Sequence, residues 1–187
     1  MIWEGLAQFY FKKGLQHIRE NKITPAVATF EKAVALNGGN WKIANVLGLC
    51  YYRLGDFSGA KRSWKRSQAQ YTENNPATSY LEDLHGLDFS NCWQGYNKAL
   101  KLAGDGKYRQ AERILLLRET ACFSFVSFTN LLGLCQYGRG KKKKALYTWL
   151  QALSLDREHP LTLKYLQQGF AGTKNQGILN KVHFFFW

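Results

Sequence analysis

The sequence predicts an all-α chain built of antiparallel helix pairs, and three observations carry that prediction. The block Asn45-Val-Leu-Gly-Leu-Cys-Tyr-Tyr-Arg-Leu-Gly55 returns 85 residues later as Asn130-Leu-Leu-Gly-Leu-Cys-Gln-Tyr-Gly-Arg-Gly140. A finer spacing of 34 lies inside it: Gly14 to Gly48, Ala26 to Ala60, Phe30 to Trp64, Ala111 to Ala145 and Leu115 to Trp149. No alternating apolar–polar run bounded by turn residues occurs, so strands are not expected. A fixed period of this size is the sequence signature of stacked helical repeats.

Helix punctuation falls where paired helices need it. Thr24-Pro25 reads as an N-cap followed by Pro at the first helical position, and Gly38-Gly39 as a left-handed stop. Asn40 caps the next helix and Gly55 ends it. Asp56 caps the one after. Asn75-Pro76 and His159-Pro160 read as fresh helix starts. Gly48 and Ala60 have minimal side chains, which lets two helices approach closely. Leu47 and Tyr51, four apart, share a face. The spacing gives four repeats, over 7–40, 41–74, 92–125 and 126–159. A 17-residue insertion between the second and third contains a helix near 76–86, and a similar segment follows the fourth at 160–171. The chain therefore reads as two repeats and an extra helix, twice over, the extra helix covering the apolar face that a stack leaves open. Residues 173–187 form a polar, then aromatic, tail ending Phe184-Phe-Phe-Trp187. Three alternatives are open for it: packing on the repeats, a contact in an oligomer, or the start of a further segment such as a membrane span.

Composition bounds the rest. The chain has 187 residues, 45% of them hydrophobic, with 12 Phe, 10 Tyr and 6 Trp, which excludes a disordered chain. Its 26 Lys and Arg against 13 Asp and Glu give a net charge of +13, which attracts acidic proteins, nucleic acid or anionic lipid without choosing among them. The N-terminal residues lack the order of a signal peptide, no apolar run reaches the length of a membrane span, and four scattered cysteines are too few for a disulfide scaffold. A cytoplasmic, reduced setting is the expectation.

The repeated positions resemble the tetratricopeptide repeat (TPR) family. The matching residues are a small residue in the first helix (Gly14, Gly48, Ala99, Gly133), an Ala early in the second (Ala26, Ala60, Ala111, Ala145) and a large apolar residue after it (Phe30, Trp64, Leu115, Trp149). Ser67 and Arg118 depart from it, standing where Ala33 and Ala152 keep the small residue. The resemblance implies a right-handed superhelical solenoid whose first helices line a groove for a peptide or partner protein.

No catalytic, metal or cofactor constellation is found. The cysteines at 50, 92, 122 and 135 form no C-x-x-C pair, and Cys50 and Cys135 read as core residues. His17, His85, His159 and His183 are scattered. The segment Cys135 to Lys142 lacks the opening Gly and the Ser or Thr of a phosphate loop. Glu82-Asp83 reads as a solvated face. What remains is a surface. Lys42, Asn45, Leu49 and Tyr52 share one face of a first helix, with equivalents Gln8, Phe11, Leu15 and Ile18, then Trp93, Tyr96 and Leu100, then Ser127, Asn130, Leu134 and Tyr137. Asn45 and Asn130 are the sharpest candidates, because an amide both donates to and accepts from a peptide backbone. Asn45→Ala with Asn130→Ala is then expected to weaken partner capture without lowering the melting temperature. Tyr52, Trp93, Tyr96 and Tyr137 are the aromatic anchors. Family members that clamp a partner's terminal carboxylate do so with groove cations, which this stripe lacks.

The cations lie elsewhere. Lys61, Arg62, Lys65 and Arg66 form like-charge i, i+4 pairs, which oppose helix formation. Lys141, Lys142, Lys143 and Lys144 open a helix, where the dipole disfavours them. Both suggest an acidic partner. The function expected is a non-catalytic scaffold that binds a peptide or protein of acidic character. The alternatives are a basic module for nucleic acid or acidic membrane and a cytoplasmic accessory domain of a larger membrane-anchored protein. Self-association through the aromatic C-terminus is a further partner expectation.

Overall fold

The computed structural model describes residues 2–117 and 125–171. Among these residues there are ten α-helices and no strand: α1 (Ile2–Arg19), α2 (Ile23–Leu36), α3 (Trp41–Leu54), α4 (Phe57–Gln70), α5 (Ala77–Asp83), α6 (Leu87–Gly104), α7 (Tyr108–Leu116), α8 (Val126–Gly138), α9 (Lys142–Leu155) and α10 (Pro160–Ala171). The chain divides into two compact units. The first holds residues 1–90 with Leu155–Glu158, and the second holds the remainder. The division falls close to the 85-residue duplication boundary. The aromatic tail, Arg118, Cys122 and His183 lie outside the described residues.

In the first unit, α1 packs on α2, α2 on α3, α3 on α4 and α4 on α5. Short connections make each neighbouring pair an antiparallel hairpin. The repeat residues form the core. Ile23, Ala26, Phe30, Ala33, Ile43, Leu47 and Cys50 build one cluster, and Ala60, Trp64 and Ala77 a second. Glycine is required under the large residue of each pair. A Cβ on Gly14 would lie 2.5 Å from the Phe30 ring, and one on Gly48 would lie 2.2 Å from Trp64 Nε1. The indole occupies the space a side chain would fill, and its N–H donates to the Asn45 carbonyl at 3.2 Å.

The caps follow the sequence in part. Asn40 Oδ1 accepts from Lys42 N and Ile43 N, Asp56 Oδ1 accepts from Gly59 N, and Gly55 closes α3 at φ 86°. Two expectations fail. Gly38-Gly39 is not a left-handed stop: α2 ends one step earlier, at Asn37 with φ −136°, and the positive-φ glycines are Gly55, Gly106 and Gly140. Thr24 is not the cap of α2 either. The helix begins at Ile23, and its free amides are met by Asp156, whose carboxylate accepts from Ile23 N at 2.8 Å and Thr24 N at 3.2 Å. A carboxylate there also complements the positive end of the helix dipole.

The second unit repeats the pattern. Ala99, Ala111, Leu115, Ala145 and Trp149 are buried. A Cβ on Gly133 would again lie 2.2 Å from an indole Nε1, that of Trp149, which donates to the Asn130 carbonyl at 3.3 Å. Cys50 and Cys135 are free and buried, and burial pushes both thiols up to about 12. Cys92 is disulfide-bonded. No helix among the described residues is long and apolar enough to cross a membrane.

Candidate functional site

Asn45 is 6% exposed and Asn130 5%. The groove role expected for them gives way to a structural one. Asn45 Nδ2 donates to Asn75 Oδ1 at 2.8 Å, and the same oxygen accepts from Ala77 N at 3.0 Å, at the start of α5. Asn75 Nδ2 in turn donates to Ser67 Oγ and to the Tyr71 carbonyl. Asn45 thus ties the first helix of a pair to the start of the helix that follows the pair, α5. Asn130 does the same in the second unit. Its Oδ1 accepts from Thr162 Oγ1 at 2.9 Å and its Nδ2 lies 3.3 Å from His159 Nδ1, which also receives Thr162 N at the start of α10. This explains the departure at Ser67. Its hydroxyl holds Asn75, whereas Ala152, the equivalent residue, stands beside a cap made by His159.

The aromatic anchors are also largely committed. Tyr52 packs against Phe57, Trp64 and Phe89. Trp93 stacks on Tyr96 at 5.4 Å, and Tyr96 meets Phe128. Tyr137 lies against Trp149, and Leu134 packs on the same cluster. Burial raises the Tyr52 and Tyr96 phenols above their ordinary value. Of the nine groove candidates, Lys42 and Leu49 are the ones classed as exposed, both on α3. Lys42 Nζ rests over the Trp41 ring.

The two basic clusters differ. Arg62, Lys65 and Arg66 are exposed and Lys61 half-buried. Among the described residues none of the four makes an ion pair, and α4 carries no acidic residue. In the second cluster Lys141 is already engaged. Its ammonium and the Arg139 guanidinium both pair with Glu112, which is 1% exposed. Burial raises the Glu112 carboxyl, but the Arg139 and then the Lys141 hydrogen bonds outweigh it, and the net shift is downward. Lys142 also has partners. Lys143 and Lys144 remain as an exposed basic surface.

The first unit also holds an open cleft of about 400 Å³ between α2, α3 and α4. Buried Val34, Ala44 and Leu47 line it together with Glu31, Tyr51, Arg62 and Arg66. Tyr51 O–H donates to the Glu31 carboxylate. Burial first, then that bond, raises the phenol, so it stays a donor. Of these residues the arginines were singled out by sequence as a basic cluster, and Leu47 and Tyr51 as sharing a packing face, but not as a site. Glu31 and Tyr51 sit 20 residues apart, a spacing with no recognisable motif. Among the described residues no group of three or more His, Cys, Asp or Glu is placed to hold a metal ion.

No family model matches the chain, and no curated protein matches it in sequence. Solved structures do resemble its fold. MamA from Desulfovibrio magneticus RS-1, from residue 41 to its end, is 17% identical with a TM-score of 0.41, over 95% of this chain and 90% of that one. A structure of Pseudomonas aeruginosa pilF is 15% identical with a TM-score of 0.39, over 92% and 71%. Another crystal structure of MamA is 17% identical with a TM-score of 0.37, over 85% and 76%. At such values the helix-pair architecture rests on the packing and caps described above.

Proposed function

We propose that the chain is a non-catalytic scaffold of tetratricopeptide-like helix pairs that docks a protein partner on the first-helix face of its first unit. The observation that carries this reading is Leu49. It lies in the middle of α3, is 39% exposed, and is flanked by buried Gly48 and Cys50. Lys42 is exposed on the same helix, and Gln8 and Phe9 are exposed on α1. An isolated surface leucine needs no explanation. Here it stands at the repeat position where the resemblance puts partner contacts, and it is open where its equivalents Leu15 and Leu134 pack against their clusters. The buried asparagines and stacked aromatics hold the helices together and leave this exposed strip for recognition.

The test is a photo-crosslinking residue at position 49, with position 58 on exposed α4 as the control, in cells that make the native protein. A discrete partner crosslinked at 49 and not at 58 is expected. Leu49→Glu is expected to lose that partner while the melting temperature holds. Equal crosslinking at both positions, or an unchanged partner in Leu49→Glu, would contradict the reading.

A further inference from the structure

We infer that the cleft between α2, α3 and α4 of the first unit is a second binding site, one that takes an acidic peptide segment: carboxylates on Arg62 and Arg66, and an apolar side chain against Val34, Ala35 and Leu47. It lies on the second-helix side of the pairs and stands whether or not Leu49 touches a partner.

Charge complementarity argues for the occupant. Helix α4 holds four cations and no acid, with no ion pair among the described residues. Like charges four apart oppose the helix, and no ion pair among the described residues offsets them. The cations are also sorted. Arg62 and Arg66 line the cleft, whereas Lys61 and Lys65 do not. Guanidinium is planar, weakly hydrated and able to grip a carboxylate with two parallel bonds, which suits a recess better than ammonium does.

Glu31 in the same lining selects against a uniformly anionic polymer. It accepts from the Tyr51 hydroxyl and lines the cleft with the arginines. It disfavours a phosphate backbone or a lipid headgroup surface lying across the opening. A peptide carries carboxylates for the arginines and backbone N–H groups for Glu31, and the apolar lining takes an aliphatic side chain.

The test measures binding of the full chain to short fluorescein-labelled peptides that carry paired Glu residues at varied spacing about one Leu. Lys-for-Glu counterparts, single-stranded DNA and phosphatidylserine vesicles serve as comparison probes. At least one acidic peptide is expected to bind. Arg62→Gln with Arg66→Gln should weaken it by about tenfold or more, whereas Lys61→Gln with Lys65→Gln should have a much smaller effect. Ala35→Phe, an exposed position on the cleft wall, should block the peptide with all charges intact. The Arg variant is expected to melt no lower than the parent. Failure of every acidic peptide, equal losses in the Arg and Lys variants, an unaffected Ala35→Phe protein, or tighter binding of DNA or vesicles with the same Arg dependence would each overturn the proposal.

Discussion

Glu112, Arg139 and Lys141 show what a duplication can change at single positions. Their equivalents in the first unit, 85 residues earlier, are Val27, Leu54 and Asp56. Val27 and Leu54 both pack against the apolar core there. Where the first unit has an apolar pair, the second has an ion pair between a buried carboxylate and a guanidinium that is 29% exposed. Arg139→Leu leaves Lys141 on Glu112 and is expected to destabilise by about 1–3 kcal/mol, and Glu112→Val with Arg139→Leu by less, as read by urea denaturation. The same carboxylate sets an acid limit. Its native pKa is depressed, so its contribution is present above the ordinary unfolded value of about 4.3 and is lost as pH falls through the native value. Glu112→Gln should flatten that part of the acid unfolding curve. An acid transition of unchanged steepness would show that other carboxylates control it.

At the scale of the element, the glycine–indole contacts explain why the repeat period was readable. Gly48 with Trp64 and Gly133 with Trp149 need a missing side chain and a large one at fixed spacing, and that contrast survives in the sequence. Gly48→Ala and Gly133→Ala should each cost about 1–3 kcal/mol, since the added carbon meets an indole that cannot withdraw from a packed core. A Tm within experimental error of the parent for both variants would contradict this packing. The cap of α2 was not readable. Asp156 lies 132 residues from Thr24, and local pattern carries no trace of such a pairing. The asparagines were misread for a related reason. Lys42, Asn45 and Leu49 share a face by spacing alone, yet Asn45 is buried while its two neighbours are exposed, because the segment opening α5 covers it. The inserted helix was expected from sequence, but which side chains it would bury depends on Asn75 and Ser67 meeting across two turns.

At the scale of the whole molecule, the duplicated block is the unit of design. In each copy an indole beneath a glycine donates to an asparagine carbonyl, and that asparagine's side chain reaches the start of the following helix. The copies use different chemistry at the far end, Asn75 with Ser67 in one and His159 with Thr162 in the other. The net charge of +13 reads differently against the structure: the second cluster is partly consumed by Glu112, while the α4 cluster makes no ion pair among the described residues. The measurement that most directly tests this account is thermal unfolding of Asn45→Ala, Asn130→Ala and the double variant. Each loses buried hydrogen bonds worth about 1–3 kcal/mol, so each Tm should fall, by about 2–4 °C per kcal/mol, with the double variant near the sum. A double variant that melts with the parent would mean that these amides hold nothing together.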